Sequence, residues 1–156
     1  MKKRLKIAGI ALLFVLVAVQ LIRPDRKNPP IDPNQEIGVI FPVPGPVQQI
    51  LDRSCIDCHS NRTRWPWYSN IAPISWVVAS DVKEGREHMN FSEWGTYNRG
   101  RIISRLDMIV SQVDKGDMPL PGYLLLHRDA RLTEEQKDTL CSWAERSSDS
   151  LTSSTK

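Results

Sequence analysis

The chain has few cysteines and little net charge, and each shortage removes a class of explanation. Cysteine occurs three times in 156 residues, at positions 55, 58 and 141. An odd count this small cannot form the framework of paired bridges that staples small exported domains. The formal net charge is +3, and five of the 21 basic residues (Lys2, Lys3, Arg4, Lys6 and Arg23) sit in or beside the opening segment. What remains is not a surface that tracks phosphates, so no nucleic-acid partner is expected. No convincing run of alternating apolar and polar residues is present, which argues against a sheet. Low-complexity sequence is confined to the polar end "SSDSLTSSTK", residues 147–156, expected to fray as a disordered tail. With 40% apolar and 25% charged residues, the rest has the composition of one ordinary globular domain.

One long hydrophobic run is there. "MKKRLKIAGIALLFVLVAVQLIRP" places four basic residues before an uncharged stretch from Ile7 to Ile22 and closes it with Arg23 and Pro24. As a helix the stretch rises about 24 Å, against a bilayer hydrocarbon core of about 30 Å, with Lys6 and Arg23 able to snorkel at its ends. A cleaved leader needs small residues in an A-x-A-like pattern, and only Ala18 is offered, with Leu16 two residues before it. Residues 1–23 are therefore expected to form an uncleaved signal anchor, with secretion after cleavage as the alternative. The basic flank holds the N-terminus in the cytoplasm and puts the domain on the outer face.

Residues 24–46 carry seven prolines and two glycines and cannot form a continuous helix or a central strand. They read as an extended tether that lifts the domain off the membrane and packs Ile40, Phe41 and Val43 on its surface. The domain itself, 47–146, is dominated by helical periodicity. "PVQQILDRSCIDCHS" begins with proline and puts Val47, Ile50, Leu51 and Cys55 on one face, so the cysteine pair belongs to a helix and its end. "PISWVVASDVKEGREHM" groups Ile74, Val77, Val78 and Val82, and "RIISRLDMIVSQVDKG" groups Ile102, Leu106, Ile109 and Val113 before the stop at Gly116. "LTEEQKDTLCSWAER" offers a capping box at Thr133 and Gln136, with Leu140 and Trp143 facing inward. The fold class is all-α, about four helices joined by long loops. The loops "NRTRWPWYSNIAP", "NFSEWGTYNRG" and "GDMPLPGYLLLHRDAR" are unusually aromatic and apolar, as expected if they wrap a large apolar ligand that completes the core.

The chemistry is crowded into "SCIDCHS". Cys55 and Cys58 lie three apart and His59 follows directly. On a helical turn both sulfurs face one edge of a planar ligand while the imidazole points to its centre, the arrangement that covalent haem attachment requires. Two other readings compete. A zinc site needs a fourth ligand, from Cys141, His88 or His127, and none of these pairs in spacing with another Cys or His. A dithiol redox pair needs a βαβ surround, which the helical pattern does not provide.

The stretches "SCIDCHSNRTRWPWYSNIAPISWVVASDVKEGREHMNFSEW" and "GDMPLPGYLLLHRDARLTEEQKDTLCSWAER" together resemble the haem-binding domain family of small, membrane-anchored bacterial c-type cytochromes, over roughly residues 40 to 146. The resemblance implies one covalently held haem c in a cytochrome-c-like helical domain. The second axial ligand is expected from Met118, because Gly116, Pro119 and Pro121 enforce a non-helical loop and Met-Pro in a late loop looks like the distal-ligand segment of single-haem cytochromes c. Met118 could instead fill a gap in the core, as most methionines do. Met108 reads as core, His88 and Met89 adjoin a helix end, and His127 reads as a loop histidine.

His59 must offer Nε2 to iron, so its Nδ1–H needs an acceptor, expected in the loop holding Pro66 and Pro73. Haem carboxylates would need donors, for which Arg62, Arg64, Trp65, Trp67, Tyr68, Arg99 and Arg101 are available, and Trp65 and Tyr68 are the choices made here. Trp76, Trp94 and Cys141 are expected in the core. Asp81, Glu84 and Glu87 share a helix with Lys83 and Arg86 and read as a solvated face, so no catalytic residues and no enzyme activity are expected. The sequence thus points to a monohaem c-type cytochrome passing single electrons between membrane or periplasmic redox partners it does not identify. A haem-based gas or redox sensor, or a ligand-binding module, with a labile sixth ligand is the alternative.

Overall fold

The computed structural model describes residues 2–153, which are helical with no strand among them. α1 (Lys2–Ala18) continues as a 3-10 turn over Val19–Leu21, and none of α1 is buried. Lys2–Leu21 is long and apolar enough to cross a membrane or act as a signal anchor. A helix that is apolar all round and covered by nothing in its own chain needs another apolar environment.

The proline-rich segment is hydrogen-bonded along the domain. Gln20 and Ala72 exchange two hydrogen bonds of 3.0 Å, and the Trp76 indole N–H donates to the Ile22 carbonyl at 2.8 Å. Arg26 donates to the Ser69 carbonyl at 2.9 Å and to Asn70 at 2.6 Å, and Asn28 donates to the Thr63 carbonyl at 2.9 Å. A chain rich in proline leaves its polar groups without internal partners, and here the domain supplies them. The segment then forms a 3-10 turn (Pro33–Gln35) and a short α2 (Ile37–Ile40). Ile37 and Phe41, four apart, face inward, and Phe41 meets Trp143 edge-on at 6.2 Å. Val43 packs on the core as expected, whereas Ile40, one position off the Ile37–Phe41 face, stays largely exposed.

Four long helices build the domain: α3 (Gly45–Ser54), α5 (Ile74–His88), α6 (Arg99–Asp114) and α8 (Glu134–Ser153), with the single turns α4 (Ile56–His59) and α7 (Pro121–Leu124) between them. α6 lies along α8, and α3 packs across α8. Leu51, Leu106, Leu140 and Trp94 are fully enclosed at their junction. The ends are fixed by local chemistry. Asn98 accepts from the Arg101 N–H to cap α6, Gly116 leaves it with a φ of 75°, and Thr133 and Gln136 bond each other's backbone N–H at the start of α8.

Three expectations need correction. The helix before the motif is not continuous: Cys55, at φ −128° and ψ −41°, separates α3 from α4. α5 presents a different face from the one its valines suggested. It buries Ser75, Val82 and Gly85 while Ile74 and Val77 stay 46% and 59% exposed. Gly85 faces in because α5 lies almost against the backbone of Cys58 there, where a larger side chain does not fit. Finally, the polar end is no frayed tail as far as Ser153; residues 154–156 lie outside the described residues. The inward stripe Leu140, Trp143, Ala144, Ser147, Ser148, Leu151 continues the helical period along α6, and the Ser148 hydroxyl donates to Asp107 at 2.8 Å. Serine at a buried position hides such a stripe from a hydrophobic pattern.

Ser148→Ala is accordingly expected to lower domain stability by about 1 kcal/mol, the net worth of one hydrogen bond, measured by denaturant unfolding. No change would mean that this end contributes nothing to the fold.

Candidate functional site

A break at Cys55 starts the chain on a fresh turn, and that turn carries the motif. The His59 N–H bonds the Cys55 carbonyl at 2.9 Å, so Cys55, Cys58 and His59 are held on one α4 turn. All three line one cavity of about 450 Å³, a size within the roughly 300–1,000 Å³ of ligand pockets. α5 contributes Asp81, Glu84, Gly85 and His88, α6 contributes Met108, Ile109, Gln112 and Val113, and Met89 and Phe91 follow α5. The last wall is the loop after α6, with Met118, Pro119, Leu120 and Tyr123.

His59 Nδ1 lies 2.9 Å from the Gly85 carbonyl and 3.1 Å from the Met89 carbonyl. With only acceptors beside it, Nδ1 carries the proton and Nε2 is left with a free lone pair. The acceptors are not in the Pro66–Pro73 loop as expected but at the C-terminal end of α5, where last-turn carbonyls have spare capacity. Burial lowers the pKa of the imidazole, against the partly offsetting pull of those two carbonyls. α4 and α5 can approach this closely only because residue 85 is glycine: a Cβ there would stand 2.7 Å from the Cys58 carbonyl oxygen.

Both motif cysteines are free thiols. Burial, then Cys58, pushes Cys55 up to about 12; burial, then Asp81 and Asp57, pushes Cys58 to about 12. A dithiol exchange pair has the opposite character, a lowered pKa beside positive charge. Among the described residues no group of three or more His, Cys, Asp or Glu side chains is arranged to hold a metal ion, so the zinc reading lacks ligands.

Asp57, between the cysteines, ties the site together. It accepts from Arg64 through Nε at 3.0 Å and the second guanidinium nitrogen at 3.1 Å, and from the Tyr123 hydroxyl at 3.0 Å. Burial first, then Asp57, raises the Tyr123 pKa, keeping the hydroxyl a donor. Met118 is half-buried in a loop pinned at the Gln112 carbonyl, which accepts from the Asp117 and Met118 N–H groups at 3.0 and 3.1 Å.

Cys55, Cys58, His59 and Met118 thus share one cavity, joined by Met108, expected only in the core, and by His88 and Met89. Trp65 and Tyr68 do not line it. The Trp65 indole N–H donates to Asn28 at 3.1 Å, and the Tyr68 hydroxyl faces the His127 ring at 3.4 Å. The other proposed donors are also absent from its lining: Arg62 pairs with Glu36, Arg64 with Asp57, Arg101 covers the Tyr97 ring at 4.5 Å, and Trp67 is 75% exposed. Arg99 lies outside the lining as well. Two of these donors, Trp65 and Arg62, are taken by Asn28 and Glu36 of the proline-rich segment. His127 stacks on Tyr123 at 4.0 Å, outside the cavity. Cys141 is buried on α8 beside Asp114, its thiol pushed up to about 11 by burial and that carboxylate.

The residues that the motif did not reveal are Ser54, Gln112 and Tyr123. Tyr123 was legible as the aromatic of "GDMPLPGY". Ser54 was not: its hydroxyl is buried on the cavity wall with no hydrogen-bond partner. The walls, the two unpartnered thiols, the imidazole lone pair and this orphaned hydroxyl fit a large apolar group with polar substituents. A family profile described as a haem-binding domain matches residues 14–146. No curated protein and no solved structure matches the chain.

Gly85→Ala should cost about 1–3 kcal/mol, as overpacking against backbone does, and reduce the haem recovered with the protein. Gly122→Ala, whose Cβ meets nothing within 4 Å, should do neither. Denaturant unfolding and haem content per chain check both, and equal behaviour of the two variants would contradict the close α4–α5 contact.

Proposed function

The chain belongs to the haem-binding domain family, and from that premise we propose that it is a membrane-anchored monohaem c-type cytochrome that carries single electrons. The observation that supports this best is one turn, α4, presenting Cys55, Cys58 and the free Nε2 of His59 to a single cavity that Met118 also lines. Cys55 and Cys58 would hold the haem through thioethers, and His59 and Met118 would be its axial ligands. Haem held so supplies a reversible one-electron iron couple.

The protein's own part is positional. The Gly85 and Met89 carbonyls fix the His59 tautomer and orient the ring. Leu51, Ile109, Val113, Leu120, Leu132 and Leu140 keep water from the cavity. A soft sulfur from Met118 would favour the reduced metal and, as a protein ligand, would leave no place for an outside one. No residue is given an acid–base role, and the reading is not that of an enzyme. Redox partner proteins, unidentified, would meet the domain outside a bacterial cytoplasmic membrane, on the side opposite the basic N-terminal flank.

One observation favours the sensor as second reading: Met118 sits in a loop only half-buried, held at one carbonyl. A loop so held could release its ligand to a diatomic gas.

The visible spectrum of the reduced full-length protein, produced with haem-attachment machinery, separates the two. The carrier reading expects a low-spin haem c spectrum unchanged by carbon monoxide, and Met118→Ala to convert it to a form that binds the gas stoichiometrically. A wild-type spectrum that shifts on adding the gas would overturn the carrier in favour of the sensor.

A further inference from the structure

The outer face of α5 carries large apolar side chains that no described residue covers. Ile74 and Val77, three apart on one side of the helix, are 46% and 59% exposed. Ile71 just before them is 44% exposed, and Trp67, in the 3-10 turn packed on α5, is 75% exposed. Apolar residues scattered singly over a surface need no explanation, but a grouped set does.

What covers this set is indicated by the helix it adjoins. Gln20 exchanges hydrogen bonds with the backbone of Ala72, next to Ile71, and the Trp76 indole N–H bonds the Ile22 carbonyl, between Ile74 and Val77 in sequence. Both Gln20 and Ile22 lie inside the uncharged run Ile7–Ile22. There is no slack between span and domain, so residues 71–76 are held at the depth of the 3-10 turn that continues α1. The run rises about 24 Å, some 6 Å short of a typical hydrocarbon core. A short span draws its flanking groups toward the bilayer. Trp67 and Trp76 are residues of the type that settles at the membrane interface, and Arg23 and Lys27, both exposed beside the end of the run, suit anionic headgroups.

We propose that the face formed by Trp67, Ile71, Ile74 and Val77 is a membrane-docking surface, immersed in the lipid interface of the same bilayer that α1 enters. The domain is therefore not free to swing on a tether. It lies on the membrane in one fixed orientation, with the first two turns of α5, the helix whose far end holds His59, facing lipid. The proposal rests on the anchoring of α1 described above.

The test uses the full-length, haem-loaded protein in phosphatidylethanolamine–phosphatidylglycerol vesicles whose acyl chains carry an alkyne tag. The photo-crosslinker benzoylphenylalanine is placed singly at position 67 or 77, at position 13 within α1, and at position 145, exposed on α8. Lipid adducts are expected at 13, 67 and 77 and not at 145. The double variant Ile71→Asp, Ile74→Asp should lose most of the adduct at 67 while keeping that at 13 and an unchanged haem spectrum. Adducts at 13 but none at 67 and 77, adducts there to protein instead of lipid, or an equal yield at 145 would overturn the docking surface. Loss of adducts at 13 as well would remove the anchoring and the proposal with it.

Discussion

The rest of the site depends on the approach of α4 to α5 at Gly85. One carbonyl, that of residue 85, lies 2.9 Å from His59 Nδ1, and the missing side chain of the same residue lets the Cys58 backbone come close enough for that bond to form. The glycine gives up helix propensity, about 1 kcal/mol relative to alanine, and in return fixes which imidazole nitrogen faces the cavity. Without that bond His59 could rotate or change tautomer, and two cysteines on the same turn would present their sulfurs to a cavity with no defined axial donor.

The same packing decides what happens on the other side of α5. A helix that turns Ser75, Val82 and Gly85 inward turns Ile74 and Val77 outward, and the outward face is then available to whatever adjoins α1. The proline-rich segment reinforces this arrangement. Arg26 and Asn28 bind the backbone of residues 63–70, and Asn28 accepts from Trp65 and Arg86, so the loop after the motif is clasped by the segment that leads from α1. Cavity, clasp and outward apolar face thus share one helix.

Much of this was readable in the sequence, for reasons that also explain what was not. The long helices, the capping box at Thr133 and Gln136 and the stop at Gly116 follow from local rules that tertiary structure did not override. Cys55, Cys58, His59 and Met118 could be chosen because their spacing and loop context are unusual, and the structure brings all four to one cavity. The face of α5 differs from the expected one because hydrophobic periodicity assumes that large apolar residues go inward, whereas Gly85 sets the contact with α4 here. The propionate donors Trp65 and Tyr68 were chosen for their nearness in sequence to the motif. Their side chains were instead committed to Asn28 and His127, partners 37 and 59 residues away that no local pattern could supply. The buried serines of α8 escaped for the same reason: a polar residue facing inward is visible only once its partner is.

The central claim is that one turn of helix holds a haem covalently through Cys55 and Cys58. Intact-mass spectrometry of the purified protein under denaturing conditions tests it most directly. A chain heavier by the mass of one haem, reduced to the bare polypeptide mass in the Cys55→Ala, Cys58→Ala variant, is the result this account requires. A wild-type chain at the bare polypeptide mass, with its haem released by the denaturant, would contradict it.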